Sequence, residues 1–123
     1  MIECVIPILR VQSVAASVAF YVRSLGFRVD WEGENNAAAS VSRDGFSIMF
    51  VDKAQGNAGT WVWIGVEDVE QLFGEFQSRG VTFRRTPTNF EWAYEMSIVD
   101  PDGHVLRFGS DPKSDRPIDH GEI

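Results

Sequence analysis

One cysteine, two histidines and eleven basic residues against eighteen acidic ones define what this 123-residue chain does without. Cys4 has no second cysteine to pair with, so no internal disulfide staples the fold. With no histidine close in sequence to activate it, it reads as a small buried hydrophobe rather than a nucleophile. A formal charge of −7 leaves too few lysines and arginines for the clustered phosphate contacts that nucleic acid demands. No stretch approaches eighteen uninterrupted apolar residues, and MIECVIPILRV lacks the basic start and small-residue cleavage site of a secretion signal. These absences predict a cytoplasmic protein with neither membrane nor nucleic acid among its partners. The chain also lacks a Ser/His/Asp or Cys/His arrangement and a phosphate loop.

What is present suffices for one domain, able to bury roughly two thirds of its unfolded surface unaided. VIPILRV, residues 5 to 11, is a branched apolar run that reads as a strand, with Pro7 marking an edge or hinge. Ser13 is a candidate N-cap for a helix through VAASVAFYVRSL, closing at Gly26. FRVDW, AAASVS and FSIMFVD read as three strands, the last two joined by a turn at RDG. After a Gly- and Asn-rich linker, KAQGNAGT, the order repeats: strand WVWIGV, N-cap Asp68, helix VEQLFGEFQSRG, then strands VTFRR, WAYEMSIVD and VLRF. At an offset of 55, ILRV falls on WIGV, Ser13 on Asp68 and Tyr21 on Phe76. The chain thus reads as α+β, a tandem pair of βαβββ modules (1–52 and 61–109, with linker 53–60) whose sheet carries helices outside and large side chains in a cup. Residues 110–123 are polar and nonperiodic, which predicts a mobile tail and a solvated His120.

VDPDGHVLRFGS spaces Asp100, Asp102 and His104 two apart, ligand types suited to a divalent ion. DPDG, however, is a type I turn with each residue type in a favoured position, and the next residues, VLRF, are apolar and basic rather than oxygen-rich. The turn explains the spacing, and His104 reads as a turn residue with a solvated ring.

The duplicated unit, with IPILRV, FYVRSLGFRVDWE, TWVWIGVEDVEQLFGEF and EWAYEMSIVDPDGH, resembles the vicinal-oxygen-chelate superfamily of glyoxalases, ring-cleaving dioxygenases and bleomycin resistance proteins, and most of all the last. The resemblance implies that metal ligands of catalytic relatives would fall at Ile6, Met49, Trp61 and Arg107, none of which binds a cation through nitrogen or oxygen in the usual way. No metal or other cofactor is therefore expected. The resemblance further implies a homodimer with exchange of elements near Pro7, and a dimer cleft where aromatic rings stack on a flat ligand. Expected ligand-lining residues are Trp31, Met49, Trp61, Trp63, Trp92 and Arg107, although Trp63 fits plain sheet packing equally well. Arg107 inside a cup needs a partner, either Glu95 or a ligand carboxylate. Phe46, Phe50 and Phe90 read as core or interface residues, and Tyr94 stands where relatives carry a basic side chain near the cleft. The implied function is metal-independent sequestration of a bleomycin-type or other aromatic cationic molecule. The alternative is a metal-dependent lyase, isomerase or dioxygenase of the same superfamily.

Overall fold

The computed structural model describes residues 1–123, which divide into two compact units. The first comprises Met1–Thr60 with the turn Asp100–His104, and the second Trp61–Val99 with Val105–Ile123.

The first unit contains β1 (Ile8–Val11), α1 (Val14–Arg23), β2 (Arg28–Glu32), β3 (Ala38–Arg43) and β4 (Phe46–Asp52), with a short 3-10 turn at Glu34–Asn36. The second contains β5 (Trp61–Gly65), α2 (Val69–Ser78), β6 (Phe83–Asn89), β7 (Tyr94–Val99) and β8 (Val105–Ser110). Each unit builds its own four-stranded sheet, in the orders β1-β4-β3-β2 and β5-β8-β7-β6. In both, the first strand runs parallel to the last and the other pairs are antiparallel. The module repeat therefore extends to strand order, and the strands form two mixed sheets rather than one continuous one.

The repeat also fixes the helices. Ser13 Oγ accepts the amide of Ala16 at 3.1 Å, and 55 residues on Asp68 Oδ1 accepts that of Gln71 at the same distance. Each cap satisfies a first-turn donor that would otherwise have no partner. Tyr21 and Phe76, equivalent in the repeat, are both essentially fully buried, against Phe50 (4.7 Å between ring centroids) and Phe108 (5.3 Å). At the β3–β4 hairpin Asp44 and Gly45 have φ of 54° and 85°, the left-handed pair that a two-residue turn matched to sheet twist requires.

The structure corrects several expectations. Residues 5 to 7 do not join a strand: Met1–Ile6 is exposed and β1 begins at Ile8, leaving Cys4 at the surface rather than buried. β6 is longer than VTFRR suggests and runs through Pro87, which an edge strand with register shifts accommodates. The segment after β8, read as mobile, is hydrogen-bonded to Asn89, whose Oδ1 accepts the Lys113 amide at 2.8 Å and whose Nδ2 donates to the Lys113 carbonyl at 2.9 Å. His120 lies at the surface, 3.2 Å from Glu91.

The Asp100–His104 turn is a structural lock, with the Gly103 amide bonded to the Asp100 carbonyl at 3.1 Å. Asp100 Oδ1 accepts the amides of Asp102 and His104, and Oδ2 accepts the Tyr21 hydroxyl at 2.8 Å. Burial, together with the adjacent Asp100 carboxylate, raises the Tyr21 hydroxyl far above the ordinary phenol range, so it stays a donor. The His104 ring is fully buried, not solvated: Nδ1 accepts the Thr60 amide at 3.0 Å, which leaves Nε2 to donate to the Arg10 carbonyl at 2.6 Å. Asp100→Ala removes three acceptor contacts at once, two of them from the buried Tyr21 hydroxyl and His104 amide, and should cost about 2–4 kcal/mol and lower the melting temperature by roughly 10 °C in a thermal denaturation experiment.

Candidate functional site

Each unit presents one sheet face to its helix and one without a helix. In the second unit, alternation places Trp61, Trp63 and Gly65 of β5, Arg107 and Gly109 of β8, and Glu95 and Ser97 of β7 on the helix-free face. Glu95 is the centre of that face and is only 2% exposed. Its Oε1 accepts Arg107 Nε at 2.8 Å, while Oε2 accepts Trp92 Nε1 at 2.9 Å, Arg107 Nη2 at 3.2 Å and Trp63 Nε1 at 3.4 Å. The guanidinium thus grips the carboxylate with two nitrogens, the geometry in which arginine is most effective. Burial opposes ionisation of Glu95, but the donors from Arg107, Trp92 and Trp63 and the guanidinium charge outweigh it and hold the carboxyl below its ordinary range.

The same bonds orient the two indoles while leaving their surfaces open. Trp63 and Trp92 are each 50% exposed and Trp61 is 52% exposed. Trp92 is backed by Phe90, stacked at 4.7 Å and nearly parallel. Trp63 lies on the bare backbone of Gly65 and Gly109: a Cβ on Gly109 would stand 2.6 Å from Cζ2 of the indole. Trp61 carries the Arg84 guanidinium 4.8 Å from its ring centre, and Arg84 Nη1 also bonds Ser97 Oγ at 3.2 Å.

The expected site residues therefore fall into two groups. Trp63, Trp92 and Arg107 meet at Glu95, with Trp61 on the same sheet face. Trp31 and Met49 belong to the first unit, where the pairings Trp31 with Ser40, Ser40 with Met49 and Met49 with Ile8 align them in one row. Trp31 is 44% exposed and Met49 partly buried. Phe50 and Phe90 are buried as expected, whereas Phe46 is exposed at the hairpin. Tyr94 points to the helix side, its hydroxyl donating to Glu70 of α2 at 3.0 Å, so it does not replace a basic group at the open face. Gly109, Arg84 and the backing role of Phe90 escaped sequence reasoning; alternation along β8 places Gly109 two residues beyond Arg107, but nothing local shows that an indole rests there. No group of three His, Cys, Asp or Glu side chains converges in a way that could hold a metal ion; Ile6, Met49, Trp61 and Arg107, where the resemblance implies that ligands would fall, carry none of these side chains.

Residues 3–108 match the model of the Glyoxalase/Bleomycin resistance protein/Dioxygenase superfamily. The chain belongs to that superfamily. Among solved structures it is similar to the bleomycin-binding protein of bleomycin-producing Streptomyces verticillus complexed with copper(II)-bleomycin, at 26% identity and a TM-score of 0.75, covering 92% of this chain and 98% of that one. TioX from Micromonospora sp. ML1 gives a TM-score of 0.79 at 18% identity over 88% of this chain and 98% of that one. TnmS3, an antibiotic binding protein from Streptomyces sp. CB03234, gives 0.70 at 24% identity over 92% and 99%. No curated protein sequence matches the chain.

Gly109→Ala should displace the Trp63 indole and lengthen its bond to Glu95, red-shifting tryptophan emission and costing about 1–3 kcal/mol of stability. Because the Glu95 carboxyl is lowered in the folded state, its stabilisation is complete above the ordinary glutamate pKa and is lost as the pH falls through the lowered one. Glu95→Gln should therefore remove an acid-side component from the dependence of melting temperature on pH.

Proposed function

We propose that this protein binds and sequesters an aromatic, cationic small molecule of the bleomycin type, without a metal ion of its own, in the cytoplasm. The observation that carries this reading is the Glu95 hub: two half-exposed indoles, each fixed through its N–H and each backed by protein on one side, offer preformed surfaces to a flat ring. Stacking on such a surface contributes on the order of 0.5–1.5 kcal/mol per aromatic contact beyond the area buried, and prior orientation by Glu95 removes part of the entropic cost of ordering the rings. Family membership and the similarity to a protein solved with copper(II)-bleomycin support the same reading. The overall charge of −7 favours a cationic partner.

The protein acts as a homodimer that exchanges elements near Pro7, with the ligand held in the dimer cleft. Support comes from the arm Met1–Ile6, which carries Ile2 and Val5 at 84% and 82% exposure and pairs with no strand of its own chain. An apolar arm of this kind gains stability by covering itself on a second copy.

Titration with metal-free and copper-loaded bleomycin, followed by tryptophan fluorescence and calorimetry, tests the proposal. Saturable binding at one drug per subunit is expected. Trp92→Ala and Trp61→Ala should each weaken it about three- to tenfold, in line with the loss of one stacking contact. Absence of binding by the unaltered protein would remove bleomycin from the proposal, and one equivalent of tightly held zinc, nickel, iron or manganese per subunit would contradict its metal independence.

A further inference from the structure

The segment after β8 crosses from one side of the second sheet to the other. On the helix side, Arg116 Nη1 bonds Glu70 Oε1 at 2.8 Å and the Tyr94 hydroxyl at 3.0 Å. The segment then rounds the edge strand β6 at Asn89, whose Nδ2 lies within 3.3 Å of the carbonyls of Lys113, Arg116 and Pro117 and whose carbonyl accepts the Asp119 amide at 2.7 Å. Its last residues reach the arginines of β6: Arg85 Nη2 donates to the Glu122 carbonyl at 2.7 Å and Arg84 Nη2 to the Ile123 carbonyl at 3.0 Å.

The two parts of this segment are held differently. Residues 111–118 are rooted on Asn89, a side chain only 5% exposed. Past the Asp119 amide, the bonds of residues 119–123 lie at the surface. They are the two arginine contacts, the Gly121 amide on Asp119 Oδ1 at 2.7 Å, and His120 at 3.2 Å from Glu91, a pair whose side chains are 72% and 69% exposed. Exposed bonds of this kind contribute little each, and a segment held mainly by them opens before the rest of the fold. A fixed root therefore carries an end that lifts readily.

That end acts on the open face through one residue. Arg84 lies 4.8 Å from the Trp61 ring centre, bonds Ser97 Oγ and holds the Ile123 carbonyl. While these contacts persist the guanidinium covers one face of the indole, and a flat ligand reaches that face only when Arg84 swings aside.

We propose that residues 119–123 are an autoinhibitory strap, rooted at Asn89, that fixes Arg84 over Trp61 and must lift before a flat ligand stacks on the covered face of that ring. The strap rests on the reading of this protein as a binder of aromatic molecules and adds a control on access to the site. Molecules with the strap down lack part of the binding surface, so the apparent affinity falls with the strapped fraction.

Calorimetric titration of the full chain with metal-free bleomycin, on the unaltered protein, Asp119→Pro and Asp119→Asn, tests this. Proline has no amide to give the Asn89 carbonyl, and the bond from Asp119 Oδ1 to Gly121 is lost with it, so the strap is released while every residue of the open face is kept. Asp119→Pro should bind about three- to tenfold more tightly. Before ligand is added it should shift the indole resonance of Trp61, leave those of Trp63 and Trp92 in place, and speed amide exchange at residues 120–123 but not at Lys113. Asp119→Asn removes the same charge and keeps the amide; loss of negative charge alone does not favour a cationic ligand, so this variant should not tighten binding. If Asp119→Pro binds no more tightly than the unaltered protein while Trp92→Ala still weakens binding, the strap is wrong and sequestration stands. Equal tightening by both Asp119 variants would also overturn the strap. Binding by Asp119→Pro alone supports both proposals, and absence of binding by either protein removes both together.

Discussion

A carboxylate that is 2% exposed on a sheet face survives only with donors on its lone pairs, and the second unit is arranged around meeting that demand at Glu95. Arg107 neutralises the charge, and the indole N–H groups of Trp63 and Trp92 complete the coordination. Each donor constrains something further. The indole of Trp63 reaches Glu95 only because Gly109 carries no Cβ, and Trp92 gains a rigid backing from Phe90. The hub thereby converts two mobile aromatic side chains into fixed, half-exposed plates. It also neutralises the charge of Arg107 within the protein.

The first unit follows a different logic on its two sides. Its helix side is an aromatic and aliphatic core centred on Tyr21, tied by hydroxyl to Asp100 in the turn that precedes β8. Asp100, Asp102 and His104 are all engaged by backbone groups and by the Tyr21 and Ser17 hydroxyls, which leaves no coordinating set despite their suggestive spacing. Its open side is lined by serines and carries a bulge at Asp30, where the register of β2 against β3 shifts between Val29 and Trp31. The two repeats thus share strand order, caps and core positions while their open faces have diverged, one into an arginine–tryptophan surface and the other into a serine–aspartate one.

Much of this was legible in the sequence because it is local or periodic. The offset of 55 matched the two helix caps and Tyr21 with Phe76, and the family resemblance put Trp61, Trp63 and Arg107 together in one cup. The need of a buried guanidinium for a partner left Glu95 or a ligand carboxylate, and the structure supplies Glu95. What the sequence did not reveal depends on neighbours remote along the chain. VIP looks like strand, but strand requires a partner, and Met1–Ile6 pairs with none. His104 looks solvated in a turn, yet Thr60 and Arg10, 44 and 94 residues away, supply its bonds. Tyr94 alternates to the helix side, where Glu70 and Arg116 wait for it, and the bulge that turns Asp30 leaves no local signature.

Sequestration in this form requires that Glu95 hold Trp63 and Trp92 as a single prepared surface that a ligand then covers. Nitrogen–proton correlation spectra of the indole groups during titration with metal-free bleomycin address this directly. The Nε1 protons of Trp63 and Trp92 should exchange slowly with water before ligand is added, and both resonances should shift together as it binds. Indole protons that exchange as freely as those of tryptophan in solution, or bleomycin binding that leaves both resonances in place, would contradict a prepared surface at Glu95.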